Sequence, residues 1–455
     1  MTDGKADSLQ RFLTIGRIVL PLIGILLVLL QWWQNSLWME EAKAATELAR
    51  KVWSDHPPAF PLETLASSLY IPAAVSPLGA FDAGDGPWLG QSIWLQLSKM
   101  ARAQDQLGYD VFPSGRQIGL SAAMFAQLAI PSLALLLGWR QVQQKKSLSL
   151  QSWATLQISL IEYAGPTVAL SCLLTAGLQT QALGLEGAIR LMLLLGCYVL
   201  YSLAAGSICW IAFHMSSSLP RSTGFLVLFW LCNFSLARPF STNLSSAFYP
   251  LISLDQYART LDLEVRNGYN GVEPQPDRQR RFINEALQDY KVESPSGLQV
   301  NLSAILLEKE ERHQREVEHR LKAKLEEQFL KQEHLEQMLS LALPMVAIQI
   351  SSSALAATDF ASERDQLRQA DAFWNQMVHK VYGDVIASSG PDAKRVLRGA
   401  EYWRQFPFLE VKIPGPAVAL DTCFYPGLGL FFFVLAGIVI SFRSKSEPTS
   451  AQEQA

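Results

Sequence analysis

Cysteine is absent from both long polar stretches of this chain. All five (Cys172, Cys197, Cys209, Cys232 and Cys423) lie in or beside apolar runs. That excludes a disulfide framework for the polar parts and leaves the thiols as small hydrophobes. Excess positive charge is missing too. The formal net charge is -3, and no basic stripe with interleaved aromatics occurs, so nucleic acid is not an expected partner. There is no GxxxxGK[ST] phosphate loop, no HExxH and no CxxC, so the chain is expected neither to bind ATP by itself nor to carry a zinc site. The six histidines are scattered, and His313 and His319 are spaced too far apart to share a helical face. The apolar runs offer no aspartate pair and no His/Glu metal set for intramembrane catalysis. The expectation is a non-enzyme without a cofactor.

What is present is long hydrophobic runs. Hydrophobic residues make up 49% of the chain, yet the mean hydropathy of +0.13 averages two populations, near-pure apolar runs and highly charged ones. About 20 apolar residues cross a hydrocarbon core of about 30 Å. Six such spans are expected: Ile15–Trp33, Ile118–Trp139, Leu156–Leu178, Ala188–Phe213, Gly224–Phe240 and Ala417–Phe442. The first is read as an uncleaved anchor, because QWWQNSLW follows it with interfacial tryptophans and no small-residue cleavage site. The basic segments, with Arg140, Lys145, Lys146, Arg221, Arg443 and Lys445, are placed inside. Both termini are then cytoplasmic, and the long polar blocks are outside.

The expected fold is mainly α: a polytopic six-span transmembrane bundle with two extracytoplasmic inserts, the larger one helical. Its parts are a cytoplasmic N-terminus and first helix (1–33), a first periplasmic insert (34–117) and transmembrane helices 2–5 (118–240). A large helical periplasmic domain (241–416), a sixth helix (417–442) and a cytoplasmic tail (443–455) follow. The first insert opens with a helical extension, EEAKAATELARKVWSDH, and then becomes a Pro/Gly/aromatic-rich packed loop. In the larger insert, Val317, Leu321, Leu325 and Phe329 recur every four residues and place one apolar stripe on a mostly solvated helix, with Glu316 and Arg320 as an i,i+4 pair. The broken apolar stretch Leu341 to Phe360 is expected as an interfacial or re-entrant helix leaning on the bundle. Helices at Glu363 to Val385 and Pro391 to Arg404 follow.

Charged and polar groups near the spans are the candidate functional residues, since a charge at mid-bilayer costs roughly 2.5–3.5 kcal/mol on insertion scales. Arg17 can snorkel to the boundary. Glu186 and Arg190 are spaced for a structural salt bridge. Arg238 either pairs with the outside domain or lines a substrate route. Asn233 is expected to hydrogen-bond across helices, with substrate contact as the alternative. Glu162, near the inner end of the third span, faces an ATPase or partner subunit, or else is simply solvated. Gly196, Ala204, Ala205, Gly206 and Ser207 permit close helix approach at an internal or dimer face.

Four segments carry a resemblance: SPLGAFDAGDGPWLGQSIWLQ (76–96), ARPF (237–240), SSSALAATDF (351–360) and YWRQFPFLEVKIP before the last span. In this order, with inserts after spans one and five, the chain resembles the permease subunits of type-2 ABC transporters, in the DUF3526 branch. The resemblance implies an ABC-2 permease-like subunit of a bacterial inner membrane, working with a separate cytoplasmic ABC ATPase and a second permease subunit. It also implies a coupling loop at 138–153, so Arg140, Lys145, Lys146, Trp153 and Glu162 are the candidate ATPase-coupling residues. Asn233 and Arg238 are the candidates for the bundle and substrate route. The loop GWRQVQQKKSLSLQSW lacks the family's acidic residue and Gly-Thr step, and Glu162 stands where the family has a basic residue. Such a chain fits the degenerate member of a heterodimer. A rival reading is a membrane-anchored periplasmic scaffold that moves nothing.

Overall fold

The computed structural model describes residues 14–34, 69–74, 76–84, 92–96, 99–104, 121–143, 149–178, 184–215, 218–387 and 409–443, with isolated positions between 36 and 51. The expected helix after the first span, Lys145, Lys146 and the helix at Pro391 to Arg404 fall largely or wholly outside these residues. The fold is mainly helical. Among the described residues, five helices are long and apolar enough to cross a membrane: α1 (Thr14–Gln34), α2 (Ala122–Gln143), α3 (Leu150–Gly177), α4 (Leu185–Met215) and a last one, α12 (Pro416–Arg443). A bent pair adds a sixth candidate if its two helices count as one span. Helices α5 (Leu219–Ser235) and α6 (Ala237–Phe248) meet at 52°. The break has a local cause, because Pro239 lacks an amide hydrogen and its ring would clash with the carbonyl of Ser235, the last residue of α5. The fifth span therefore does not end at Phe240 as expected; ARPF starts a new helix.

Close approach at small residues packs the bundle. A Cβ on Gly24 of α1 would stand 2.5 Å from Ser171 Oγ of α3, and one on Gly437 of α12 would stand 2.7 Å from Ser207 Oγ of α4. Small residues at such crossings let backbones pack where there is no hydrophobic drive between helices. Ala204, Ala205, Gly206 and Ser207 are buried and serve an internal face, whereas Gly196 has open space beside it. The outward surfaces of α1, α5 and α12 carry exposed side chains such as Ile18, Leu22, Phe225, Leu228, Phe432 and Val439. An apolar exterior of this kind fits a membrane protein.

The chain between α6 and α12 forms a polar helical unit: α7 (Leu254–Asn267), α8 (Gln275–Asp289), the charged α9 (Leu302–Leu339), α10 (Pro344–Ala356) and α11 (Phe360–Ala387). Asn301 caps α9 by accepting from the amides of Ser303 and Ala304 at 2.9 and 3.3 Å. Val317 and Leu321 are buried, and Leu325 and Phe329 half-buried, so the four-residue stripe is real. Most of the rest of α9 is exposed or half-buried, as expected of a mostly solvated helix. Its charges reach across helices, with Arg320 to Glu264, Lys322 to Asp371 at 3.1 Å and Arg368 to Glu326 at 3.1 Å. Arg320 also lies over the Tyr269 ring at 4.5 Å. It thus joins α7 instead of pairing with Glu316 on its own helix.

Helix α10 sits deeper than the interfacial or re-entrant helix expected here. It does not lean on the bundle but is buried within it, packed against α12 and α4. Met345, Ala347, Ile348, Ala354, Leu355 and Ala356 all belong to the bundle core. At 1.5 Å per residue its 13 residues span about 20 Å, short of the roughly 30 Å needed to cross. Pro344 presets its first turn.

The stretch read as an irregular packed loop contains a three-stranded antiparallel sheet, ordered β1 (Leu69–Pro72), β2 (Ser92–Gln96), β3 (Lys99–Gln104). Ile71 pairs with Ile93 and Leu69 with Leu95. Alternation puts Ile71, Ile93 and Leu95 on one face, where they pack on Trp374, Met377, Val378 and Val381 of α11. Between β1 and β2, SPLGAFD turns back into the bundle. Phe81 is fully buried against Tyr198 of α4, ring centroids 5.5 Å apart. Gly84, at φ +49°, approaches Thr358 so closely that a Cβ would lie 2.3 Å from its Oγ1.

Candidate functional site

The bundle has two distinguishable ends. At one, the Trp153 indole of α3 donates to Ser207 Oγ of α4 at 3.3 Å, and Gly437 of α12 packs on both residues. At the other, SPLGAFD, α10 and the segment entering α12 converge. Arg190 organises this second end. Although buried to 5% exposure, it does not form the salt bridge expected with Glu186. Its guanidinium donates to the carbonyls of Ala354 (3.0 Å), Leu355 (3.1 Å) and Pro414 (2.5 Å). The first two are C-terminal carbonyls of α10, a helix end that attracts positive charge; Ala354 O also accepts from the Ala357 amide at 3.1 Å. One side chain of α4 thereby holds both the inserted helix and the start of the last span.

A neutral polar network continues inward. Gln127 Nε2 donates to Tyr198 Oη at 3.2 Å, Tyr198 Oη meets Ser352 Oγ at 3.2 Å, and Tyr201 Oη donates to the Gln127 carbonyl at 3.0 Å. Buried hydroxyls and amides are tolerated there because they satisfy one another.

Beside α10, where the bent pair, α9 and α12 meet, lies a cavity of about 230 Å³. Arg238 and Thr242 of α6, Glu333 and Glu336 of α9, Ser353 of α10, and Asp359 line it, with the Phe329 and Phe360 rings 5.3 Å apart on one side. Arg238 stands 4.0 Å from Glu336, which also accepts from Ser245 Oγ at 3.2 Å. Glu333 faces Arg364 of α11 at 3.6 Å. Burial pushes the Glu333 carboxyl above the usual carboxylate range; Arg364 opposes this, and Asp359 and Glu336 add to it. Asp359 Oδ1 caps α11 by accepting from the Ser362 amide and hydroxyl at 3.2 and 2.5 Å.

Of the residues singled out in the sequence, Arg238 is in this cavity, and it both pairs with the polar unit and lines the space. Asn233 is buried, but its amide donates to Phe229 of its own helix at 3.4 Å, so the expected cross-helix bond is not made. Glu162 lies about 18 Å along α3 from Leu150 at 1.5 Å per residue, not near the helix end. Its carboxylate pairs with Arg17 of α1 at 2.9 Å, and the Arg17 guanidinium stacks over Tyr163 at 4.3 Å. Trp153 is turned toward the bundle, and Arg140 is half-buried in the last turn of α2. Neither these residues nor Glu162 reach the cavity lining. Sequence reading missed Glu333, Glu336 and Asp359. Their only signal was position, since all three fall where the charged helix meets the Ser-rich segment.

Fold and site together define a mainly helical polytopic chain whose polar helical unit is plugged into its apolar bundle. Residues 258–408 match the family described as "Domain of unknown function (DUF3526)". The match starts within α7, takes in α8 to α11 with Glu333, Glu336 and Asp359, and stops before α12. No curated protein and no solved structure matches the chain.

Proposed function

We propose that this chain is a non-catalytic transmembrane permease subunit of an ABC-2 type transporter in a bacterial inner membrane. It moves a substrate with ATP hydrolysed by a separate cytoplasmic ATPase, and it pairs with a second permease subunit. The observation that carries the reading is the seating of α10 inside the bundle under Arg190. A rearrangement of α4 against α12 must displace α10, and α9 and α11 are joined to its two ends. Both termini and the loop from Arg140 to Trp153 are on the cytoplasmic side in this reading, with the polar unit outside; the basic residues of the loop and tail favour that orientation. Force delivered at the loop would reach the cavity through the spans. Co-expression with candidate ATPases tests it: a complex should co-purify, and nucleotide should change the accessibility of a cysteine placed on α9. No complex and no nucleotide effect would reject it.

The scaffold reading draws on the inward turn of Trp153 and on a loop without the acidic and Gly-Thr features of the family. Photo-cross-linking from Glu308 to Met338 separates the two. A scaffold captures the same partners whatever the ATP state, whereas a permease changes its contacts with it.

A further inference from the structure

We infer that Cys197 of α4 and Cys423 of α12 are a disulfide site: joined, they lock together the two spans that seat α10. Two contacts set the register of these helices. Near the start of both, Arg190 donates to the Pro414 carbonyl at 2.5 Å. Further along, Gly437 packs so closely on Ser207 that an added Cβ would lie 2.7 Å from the serine Cβ and Oγ. The helices therefore run side by side in the same direction, and Cys197 and Cys423 fall level with each other between the two contacts. Both are free thiols, within hydrogen-bonding reach of one another. Cys423 Sγ also donates to the Ser351 carbonyl of α10 at 3.7 Å, so the pair sits against the inserted helix. Closure asks for Cβ atoms about 3.5–4.5 Å apart, a spacing that touching thiols on adjacent helices approach by side-chain rotation.

The pair divides into an attacking and a resolving thiol. Cys197 is half-buried and Cys423 buried, so an incoming disulfide meets Cys197 first. The Cys197 sulfur displaces one thiol from the reagent and forms a mixed disulfide. Cys423 then displaces the second thiol. Two protein thiols become one S–S bond, the reagent's S–S bond becomes two thiols, and both protons leave with them. Cys197 lies two turns of α4, about 10 Å, from Arg190, at the end of the bundle that carries the polar unit. In the orientation proposed above, that end faces the oxidising side of an inner membrane, where a small organic disulfide is the oxidant. The oxidised chain cannot shift α4 against α12 to displace α10, and reduction restores that freedom. The other thiols provide contrast, since Cys172 and Cys209 are fully buried and Cys232 is exposed on α5.

The full chain in nanodiscs, treated with 2,2′-dipyridyl disulfide, is the material for the test; the reagent is apolar and enters lipid. A non-reduced proteolytic fragment linking Cys197 to Cys423 is expected, with no pyridyl group left on either residue. Cys423→Ser should stop the reaction at a pyridyl adduct on Cys197. Cys232 should carry an adduct in both chains and so reports that the reagent has reached the spans. The linked chain should melt about 5 °C higher or more and exchange the amide hydrogens of α10 more slowly, and dithiothreitol should reverse both changes. Three results overturn the proposal: a stable adduct on Cys197 of the parent, an unmodified Cys197 beside a fully modified Cys232, or a linked chain with unchanged melting and exchange. Cys423→Ala replaces Cys423→Ser if the serine variant folds poorly. Failure here leaves the permease reading standing, because no nucleotide or ATPase enters the experiment.

Discussion

Each half of this molecule is pinned by one buried arginine, and the two are held in opposite ways. Arg190 in the bundle donates only to neutral carbonyls, those of Ala354, Leu355 and Pro414. Arg278 in the polar unit, with no exposed surface, is forked onto the Glu310 carboxylate at 2.6 and 3.2 Å and also donates to the carbonyls of Val265 and Glu273. Glu310 keeps 27% of its side-chain surface in solvent, so the pair desolvates one charge fully and the other only in part. An apolar bundle cannot supply that compromise at low cost, because a second buried ion adds a desolvation penalty of several kcal/mol. There the partial charges of a helix C-terminus take the carboxylate's place. The same side chain thus serves as a helix-end clamp in one environment and as half of an ion pair in the other.

The largest expected effect comes from removing the clamp. Arg190→Met removes a donor from three carbonyls, of which Ala354 O keeps the Ala357 amide, at about 1–3 kcal/mol for each that stays buried and unsatisfied. The expected loss is roughly 3–5 kcal/mol, measured by thermal or denaturant unfolding in detergent. Arg190→Lys should recover only part of it, since an ammonium cannot match the planar fork. Arg278→Met should cost about 3 kcal/mol, and its effect should stay local. Hydrogen exchange should rise in α8 and α9 while α4 remains protected. An equal rise in both would erase the distinction between the two halves.

Next in size is a steric change in the bundle. A Cβ at Gly429 would meet the Cα of Leu341 at 2.6 Å and the Ser340 carbonyl at 2.9 Å, and backbone atoms cannot rotate away. Gly429→Val should destabilise by about 1–3 kcal/mol through overpacking, read as a lower melting temperature and a broader gel-filtration profile. A tolerated valine would mean that α12 does not pass this close to the turn between α9 and α10.

Smaller still are the exposed ion pairs of the polar unit, Lys331 with Glu327 and Arg368 with Glu326. Lys331→Met and Arg368→Met should each cost about 0.2–1 kcal/mol at low salt, and the difference from the parent should shrink in 1 M salt, where the Debye length is about 3 Å. The Arg190 defect should not respond to salt. The least effect is titration of His313, whose pKa burial first, and then Arg278, hold below the ordinary 6.5. The unfolded chain then takes up this proton at a higher pH than the folded one. The stability contribution is present above pH 6.5 and is lost as pH falls through that value toward the lower folded-state pKa. His313→Gln should flatten the stability-versus-pH curve of the polar unit in that window. An unchanged slope would assign the titration to another group.

Much of this architecture was legible in the chain because its signals are local. Near-pure apolar runs marked five crossings to within a few residues. The stripe Val317, Leu321, Leu325 and Phe329 marked the buried side of α9, and the Pro239 of ARPF stood at the place where the fifth span breaks. Less legible were the three strands, four to six residues long and embedded among prolines and glycines. Nothing in their own composition says that Ile71, Ile93 and Leu95 will find Trp374, so a run that short reads equally well as loop. The candidate site divides in the same way. Arg238 could be picked out as a charge at the end of an apolar run. Glu333 and Glu336 were hidden in a helix where 16 of 38 residues are charged, and only the fold distinguishes the carboxylates that face a cavity from those that face water.

The sequence alone determined that this protein has an apolar bundle and a separate polar helical unit, because burial in lipid and exposure to water select composition residue by residue. Only the tertiary structure decided how the two are joined. Helix α10 is too short to cross and too apolar to stay in water, and its burial depends on α4 and α12, which come from distant parts of the chain. Partner choice was likewise beyond local pattern. Arg190 passes over Glu186 one turn away for carbonyls more than 160 residues on, and Arg17 finds Glu162. A charge can settle beside any group of opposite sign that packing brings within reach, and spacing along one helix fixes only the nearest of them.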